Sequence, residues 1–195
     1  MMALARLEFH DALAEVARHE AGHGVAVWHL AKSGFHRRKL PPPAVTRLLI
    51  KPDGSGICEC DRICVYFEHG RPVDPSTMPG ELRHQFGGWG SRELVADLIM
   101  FMTGPLAAAP DVSATFADFF DALPDHRDRQ SIEERMAWLY DARWIECAFR
   151  LARRIARERR RHIEAVAAEL LAHGCLEGEA FAAVCEAVEA EAAWP

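Results

Sequence analysis

Two histidines and a glutamate form a pattern in this sequence whose spacing indicates a defined chemistry. The segment His19-Glu20-Ala21-Gly22-His23 is an HExxH motif. On a helix, residues four apart lie on one face about one turn apart, so both imidazoles can bind a single metal ion. The glutamate beside the first histidine can act as general base for the water that a bound Zn²⁺ activates. The motif therefore predicts a zinc site in which Glu20 is the catalytic base for hydrolysis of a peptide bond.

A catalytic zinc needs a third protein ligand, and the sequence offers three candidates. His29 has the spacing of the third histidine in the metzincin pattern HExxHxxGxxH, but Ala26 stands where that pattern has its helix-breaking glycine. An unbroken helix turns His29 to a different face from His23, so we expect His29 not to bind the metal. Asp125 and Asp128 lie where a later helix begins, and either carboxylate can complete the site or cap that helix.

A helix and a sheet are needed to position these side chains, and the patterning predicts both. Asp11 is a good N-cap for the helix that carries the motif. Strand-like runs joined by an Asp-Gly turn follow, then a Gly- and Pro-rich segment, then apolar residues at helical spacing. The predicted fold is mainly α with a small antiparallel β-sheet (α+β). Its parts are a single domain over 1–195, the HExxH helix in 1–33, the sheet in 45–68, an irregular loop at 69–90 and a C-terminal helical bundle at 91–190.

The composition favours a globular domain and argues against two kinds of partner. Half of the residues are hydrophobic and 27% are charged, which allows a substantial core. The net charge of −6 disfavours nucleic acid as a partner, and the arginine-rich stretch 150–161 is interpreted as a solvated helix face. The sequence shows no apolar stretch long enough to cross a bilayer and no signal-peptide pattern, so we expect a cytoplasmic protein without a membrane segment.

The cysteines do not indicate a secreted disulfide framework. Three of the six, Cys58, Cys60 and Cys64, share the same parity, so on one regular strand they would face the same side. Together with His69 they could form a second, structural zinc site. An apolar strand face explains them as well, and both interpretations stay open.

Four segments resemble, in the same order, the peptidase domain of the FtsH-type ATP-dependent zinc metalloproteases. In that family an aspartate that opens a helix is the third zinc ligand, and a small or apolar residue follows it by four, as Ile132 follows Asp128. The resemblance therefore implies His19, His23 and Asp128 as the zinc ligands, with Asp125 as the alternative. The four segments are the HEAGHAVVA-like helix at 19–27, a strand and turn at 45–56, an AGRxAE-like helix at 98–108 and a C-terminal helix pair at 161–179.

Two departures from that family limit what the resemblance implies. Pro105 and Ala108 stand in place of the arginine and glutamate of AGRxAE, and the 195 residues contain no GxxxxGK[ST] phosphate-binding loop. The resemblance thus implies a stand-alone zinc metallopeptidase, without the AAA+ ATPase module, that hydrolyses unfolded or flexible protein segments. A catalytically weak or inactive peptidase-like binding or regulatory module is the alternative. Under both interpretations, the expected partners are a protein or peptide substrate and either further copies of this chain or a separate partner protein.

Overall fold

The α+β prediction is confirmed: the described part of the chain is mainly helical and carries a small three-stranded antiparallel sheet. Among these residues, no helix combines the length and the apolar character needed to cross a membrane. The computed structural model describes residues 2–35, 42–61, 67–68, 71–72, 80–109, 115–124, 127–137, 139 and 142–192.

The helices and strands follow one another in an order that places the sheet after the first helix. A short ribbon of two strands, separate from the main sheet, precedes the second helix. The elements are α1 (Met2–Lys32), β1 (Val45–Ile50), β2 (Gly56–Cys60), β3 (Phe67–Glu68), β4 (Arg71–Pro72), α2 (Gly80–Ala108), α3 (Phe116–Ala122), α4 (Arg127–Met136), α5 (Ala142–Glu158), α6 (Arg160–His173), β5 (Cys175–Glu177) and α7 (Gly178–Ala192).

The third strand of the main sheet comes from the C-terminal part of the chain. The strand order is β2-β1-β5, and both pairings are antiparallel, with Leu48 opposite Cys58 on one side and Leu176 on the other. Gly174 ends α6 with a φ of 71°, and the chain then extends along β1. The prediction that 91–190 is wholly a helical bundle is therefore wrong for β5, because a three-residue strand leaves no periodic signal.

Helix α1 runs through the centre of the molecule and is buried on all sides between residues 20 and 28. A helix in this position needs apolar or small side chains around its whole circumference rather than on one stripe. On one side it packs against a sheet-side core that includes Leu48, Ile163 and Phe181. On the other side it packs against a bundle-side core that includes Ile99 and Phe149.

Helices α1 and α2 cross at close range where both carry glycine. A Cβ on Gly22 would lie 2.8 Å from the carbonyl oxygen of Thr103 and 3.0 Å from the Cα of Gly104. Real side chains do not tolerate such distances, so only glycine lets the two backbones approach this closely. The crossing brings the middle of α2 against the motif on α1.

Two predicted boundaries are wrong. The segment 69–90 was expected to be irregular, but α2 already begins at Gly80. Each glycine costs a helix only about 1 kcal/mol, and elongating an existing helix adds a hydrogen bond per residue. Asp11, predicted as an N-cap, instead lies inside α1, which begins at Met2, because the residues before Asp11 include neither proline nor glycine.

Candidate metal site

The structure brings His19, His23 and Asp128 together, although the carboxylate lies 109 residues after the first imidazole. His19 Nε2 lies 2.7 Å and His23 Nε2 lies 3.4 Å from Asp128 Oδ2. All three ligand atoms are within 4.8 Å of one another, which is close enough for them to hold one metal ion. Two imidazole nitrogens and a carboxylate oxygen are a donor set that zinc accepts in catalytic sites.

His23 is held by α2 in the orientation that a metal ligand needs. Its Nδ1–H donates a hydrogen bond of 2.8 Å to the carbonyl oxygen of Met100, which leaves Nε2 directed at Asp128. A second hydrogen bond of this kind fixes the tautomer and the ring plane of metal-binding histidines. The imidazole fits against α2 because residue 104 is glycine: a Cβ there would lie 2.8 Å from His23 Nδ1.

His23 and Asp128 are strongly coupled charges inside the protein. Burial by itself would lower the pKa of His23, but the Asp128 carboxylate, Glu20 and the Met100 carbonyl together raise it to about 9. Burial opposes ionisation of Asp128 as well, yet the charge of His23 and the hydrogen bonds from both imidazoles hold its pKa below the ordinary range. A cation bound between these groups would compete with protons for the same nitrogen and oxygen atoms.

Asp128 lies in the first turn of α4 and is buried. The positive end of the helix dipole favours a carboxylate at that position. The alternative third ligand, Asp125, lies outside the described residues. The geometry therefore supports Asp128 and does not test Asp125.

Glu20 is only 6% exposed and lies against the first residue of β2. A Cβ on Gly56 would lie 2.6 Å from Glu20 Cδ, so the strand passes directly over the carboxylate. Together with His19 and Asp128, Glu20 also lines a cavity of about 880 Å³. The candidate base and two of the candidate metal ligands thus border the same space.

The walls of this cavity are largely apolar, with charged groups among the lining residues. Helices α1, α2 and α3 and the chain after α3 contribute the apolar part, including Val16, Leu106, Phe119 and Leu123. Glu15, Lys51, Asp53 and Arg127 contribute charges of both signs. The Pro105 and Ala108 positions noted in the sequence lie in this wall, so the cavity carries no charge there.

The other sequence candidates that the structure describes lie outside the cluster of three candidate ligands. His29 Nδ1 accepts a hydrogen bond of 3.1 Å from Arg159 Nε, at the far end of α1. Cys58 and Cys60 lie on β2 near the site but do not join the ligand group among the described residues. Cys64 and His69 lie outside the described residues, so the second zinc site stays a prediction.

Sequence reasoning missed the ion pair that docks α4 on α2. Arg135 Nε lies 3.2 Å from Asp97 Oδ2, and both side chains are largely buried. No motif or spacing indicates a pair 38 residues apart. Gly104 does carry a signal, since a glycine inside a helical pattern often has a packing reason.

Neither protein-family models nor curated proteins give a match to this sequence.

Proposed function

We propose that this protein is a zinc-dependent endopeptidase whose metal ligands are His19, His23 and Asp128 and whose general base is Glu20. The observation that carries the proposal is the convergence of two imidazoles and a carboxylate within 4.8 Å beside a buried glutamate. Both the HExxH spacing and the resemblance to FtsH-type peptidases support the same assignment.

The roles of the side chains follow from their positions. When bound, zinc would act as a Lewis acid on the peptide carbonyl and lower the pKa of a water molecule to about 7. Glu20 would accept a proton from the attacking water and deliver it to the leaving amine. Gly56 confines the Glu20 carboxylate beside the cavity, which limits the rotamers that the base can adopt.

An extended polypeptide is the substrate that fits this arrangement best. In the part of the chain that the structure describes, strand β2 is an edge of the main sheet and pairs there only with β1. A substrate in extended conformation can add to such an edge through main-chain hydrogen bonds, with its side chains entering the adjoining cavity. Because an unfolded or flexible segment can adopt this extended conformation, we propose cleavage of such segments.

The first test is the zinc content of purified variants. We expect one zinc per chain in the wild type and its loss in His19→Ala. His29→Ala is the matched control, since His29 lies on the same helix but contacts Arg159. Equal zinc stoichiometry in the wild type and His19→Ala, measured by elemental analysis, would remove the proposed site.

The second test separates catalysis from metal binding. We expect Glu20→Gln to keep its zinc and to lose cleavage of an unstructured substrate such as casein. Cleavage that survives in Glu20→Gln would contradict the role of the base. A zinc-loaded wild type that cleaves no unfolded substrate would instead favour the binding or regulatory module, which the uncharged Pro105 and Ala108 wall also suggests.

A further inference from the structure

The cavity beside the candidate metal site has an apolar interior and a charged rim. Three of its lining residues, Leu106, Phe119 and Leu123, are at most 8% exposed and form the interior. The charged lining residues are half-buried or exposed and lie nearer to solvent: Glu15, Lys51, Asp53 and Arg127. A side chain that passes this rim therefore meets a hydrocarbon surface inside.

The main-chain groups of this apolar wall are already hydrogen-bonded. The Leu123 N–H donates to the carbonyl oxygen of Phe119 at 3.2 Å, and the Leu123 carbonyl oxygen accepts a hydrogen bond of 3.1 Å from Arg129. At the end of α2, the Ala109 N–H donates to the carbonyl oxygen of Pro105 at 3.0 Å. A polar side chain that left water for this wall would find these groups engaged, whereas an apolar side chain gains from leaving water.

The cavity extends from the candidate ligands along α1. Ala12, Val16 and His19 line it from successive turns, since residues three or four apart lie on one face of a helix. Ala12 precedes His19 by seven residues, which corresponds to about 10 Å along the helix axis. Gly56, the first residue of β2, lines the cavity as well. Because side chains alternate along an extended peptide, one that pairs with β2 here can direct a side chain into the cavity.

We propose that this cavity is a specificity pocket that selects peptides with a large apolar side chain, namely leucine, methionine or phenylalanine. Its volume of about 880 Å³ admits any natural side chain, so the apolar interior rather than the size makes the selection. Exchanging the methyl group of alanine for such a side chain should favour binding about 10–100-fold. The placement of this residue next to the cleaved bond rests on the proposed function, whereas the apolar preference does not.

Peptide binding tests the preference without any cleavage. The probe is a flexible glycine-serine heptapeptide with one variable central residue, titrated calorimetrically into Glu20→Gln in the presence of zinc. We expect the phenylalanine and leucine peptides to bind about 10–100-fold more tightly than the alanine peptide, and the glutamate and lysine peptides to bind no more tightly than alanine. A phenylalanine peptide that does not bind at millimolar concentration, or binds no better than the alanine peptide, overturns the proposal.

Two substitutions that fill the cavity locate the binding site. Ala108 on α2 and Val16 on α1 are half-buried lining residues, so a phenylalanine at either position occupies space inside the cavity. We expect Ala108→Phe and Val16→Phe each to weaken binding of the phenylalanine peptide by about tenfold or more. Ala168→Phe on the exposed face of α6 is the matched control and should bind like the wild type.

The two filling variants come from different helices, so one still provides the test if the other does not unfold cooperatively on heating. Wild-type affinity for the phenylalanine peptide in a folded filling variant would overturn the assignment of the pocket. An equal loss in Ala168→Phe would overturn it as well, because that position lies on another helix and outside the cavity lining.

Cleavage of the same peptides by the wild type separates this inference from the proposed function. We expect kcat/KM to be about 10–100-fold higher for the phenylalanine peptide than for the alanine peptide, with the cut at a bond next to the variable residue. Apolar-selective binding without any cleavage would support the pocket and refute the peptidase. Cleavage of all the peptides at similar rates would refute the pocket and leave the peptidase standing.

Discussion

The position of Asp128 depends on the docking of α4, and that docking relies on Arg135. Arg135 lies two turns after Asp128 on the same helix face. Its guanidinium bonds to Asp97 on α2 at 3.2 Å and stacks 4.6 Å from the centre of the Phe101 ring. That ring in turn contacts His23 edge-on, at 6.2 Å between ring centres. The substitution Asp97→Asn should therefore shift the position of Asp128, although residue 97 does not belong to the candidate ligand set.

The size of the effect follows from burial. The side chains of Arg135 and Asp97 are only 4% and 13% exposed, so solvent screens their interaction weakly. Removing one partner of a buried pair typically costs about 3–5 kcal/mol. Glu134 lies 3.4 Å from Arg135 and would still partly neutralise its charge. We therefore expect a loss of stability at the lower end of that range, about 3 kcal/mol.

Urea unfolding and zinc titration measure the two consequences. We expect Asp97→Asn to lower the free energy of unfolding by about 3 kcal/mol and to weaken zinc binding about 10–100-fold, as loss of outer-shell support does elsewhere. Glu133→Gln is the control on the same helix: its carboxylate is 53% exposed and pairs with Arg129 at i,i+4, so the change should cost below about 0.5 kcal/mol. Wild-type zinc affinity in a clearly destabilised Asp97→Asn would refute the argument that this pair positions Asp128.

Three further predictions concern single positions. Gly104→Ala places a methyl group 2.8 Å from His23 Nδ1 and should cost about 1–3 kcal/mol with loss of zinc affinity; unchanged zinc binding in titration would contradict this. Gly56→Ala crowds the Glu20 carboxylate and should keep zinc but slow casein cleavage, so wild-type rates would speak against the assigned base. Burial lowers the pKa of His162, whose ring nitrogens have no hydrogen-bond partner among the described residues. Because the unfolded chain takes up this proton at the ordinary pKa of 6.5 and the folded one resists it, stability should fall as the pH drops below that value. His162→Leu should flatten this loss in urea unfolding, and an equally steep loss would show that other groups cause it.

The parts of the fold that follow from short-range periodicity could be predicted. The helix that carries His19 and His23, strand β1 and the α6–α7 pair are visible in the spacing of apolar residues. Strand β5 and the first turns of α2 could not be predicted in this way. A short strand is decided by its partner across the sheet, and the glycine-rich turns before Ser91 are helical only as an extension of a longer helix.

The candidate site likewise has one part that the local sequence pattern predicts and another that depends on long-range packing. HExxH spacing already places two imidazoles on one helix face, but it gives no sign of which oxygen joins them. Asp128 and Asp125 were distinguished in the sequence only through a family resemblance. In the structure, Asp128 lies 2.7 Å from His19 because α4 is docked on α2.

What the sequence by itself determined is the local chemistry: two imidazoles one turn apart, a glutamate beside the first, and a helix to carry them. Only the tertiary structure decided three further features. The Met100 carbonyl of α2 orients the His23 ring through a hydrogen bond, β2 covers Glu20, and the Asp128 carboxylate of α4 lies close to both histidines. The physical reason is the range of the interactions. Helical periodicity is fixed by hydrogen bonds between residues four apart, whereas these contacts arise from packing between segments that carry no shared local pattern.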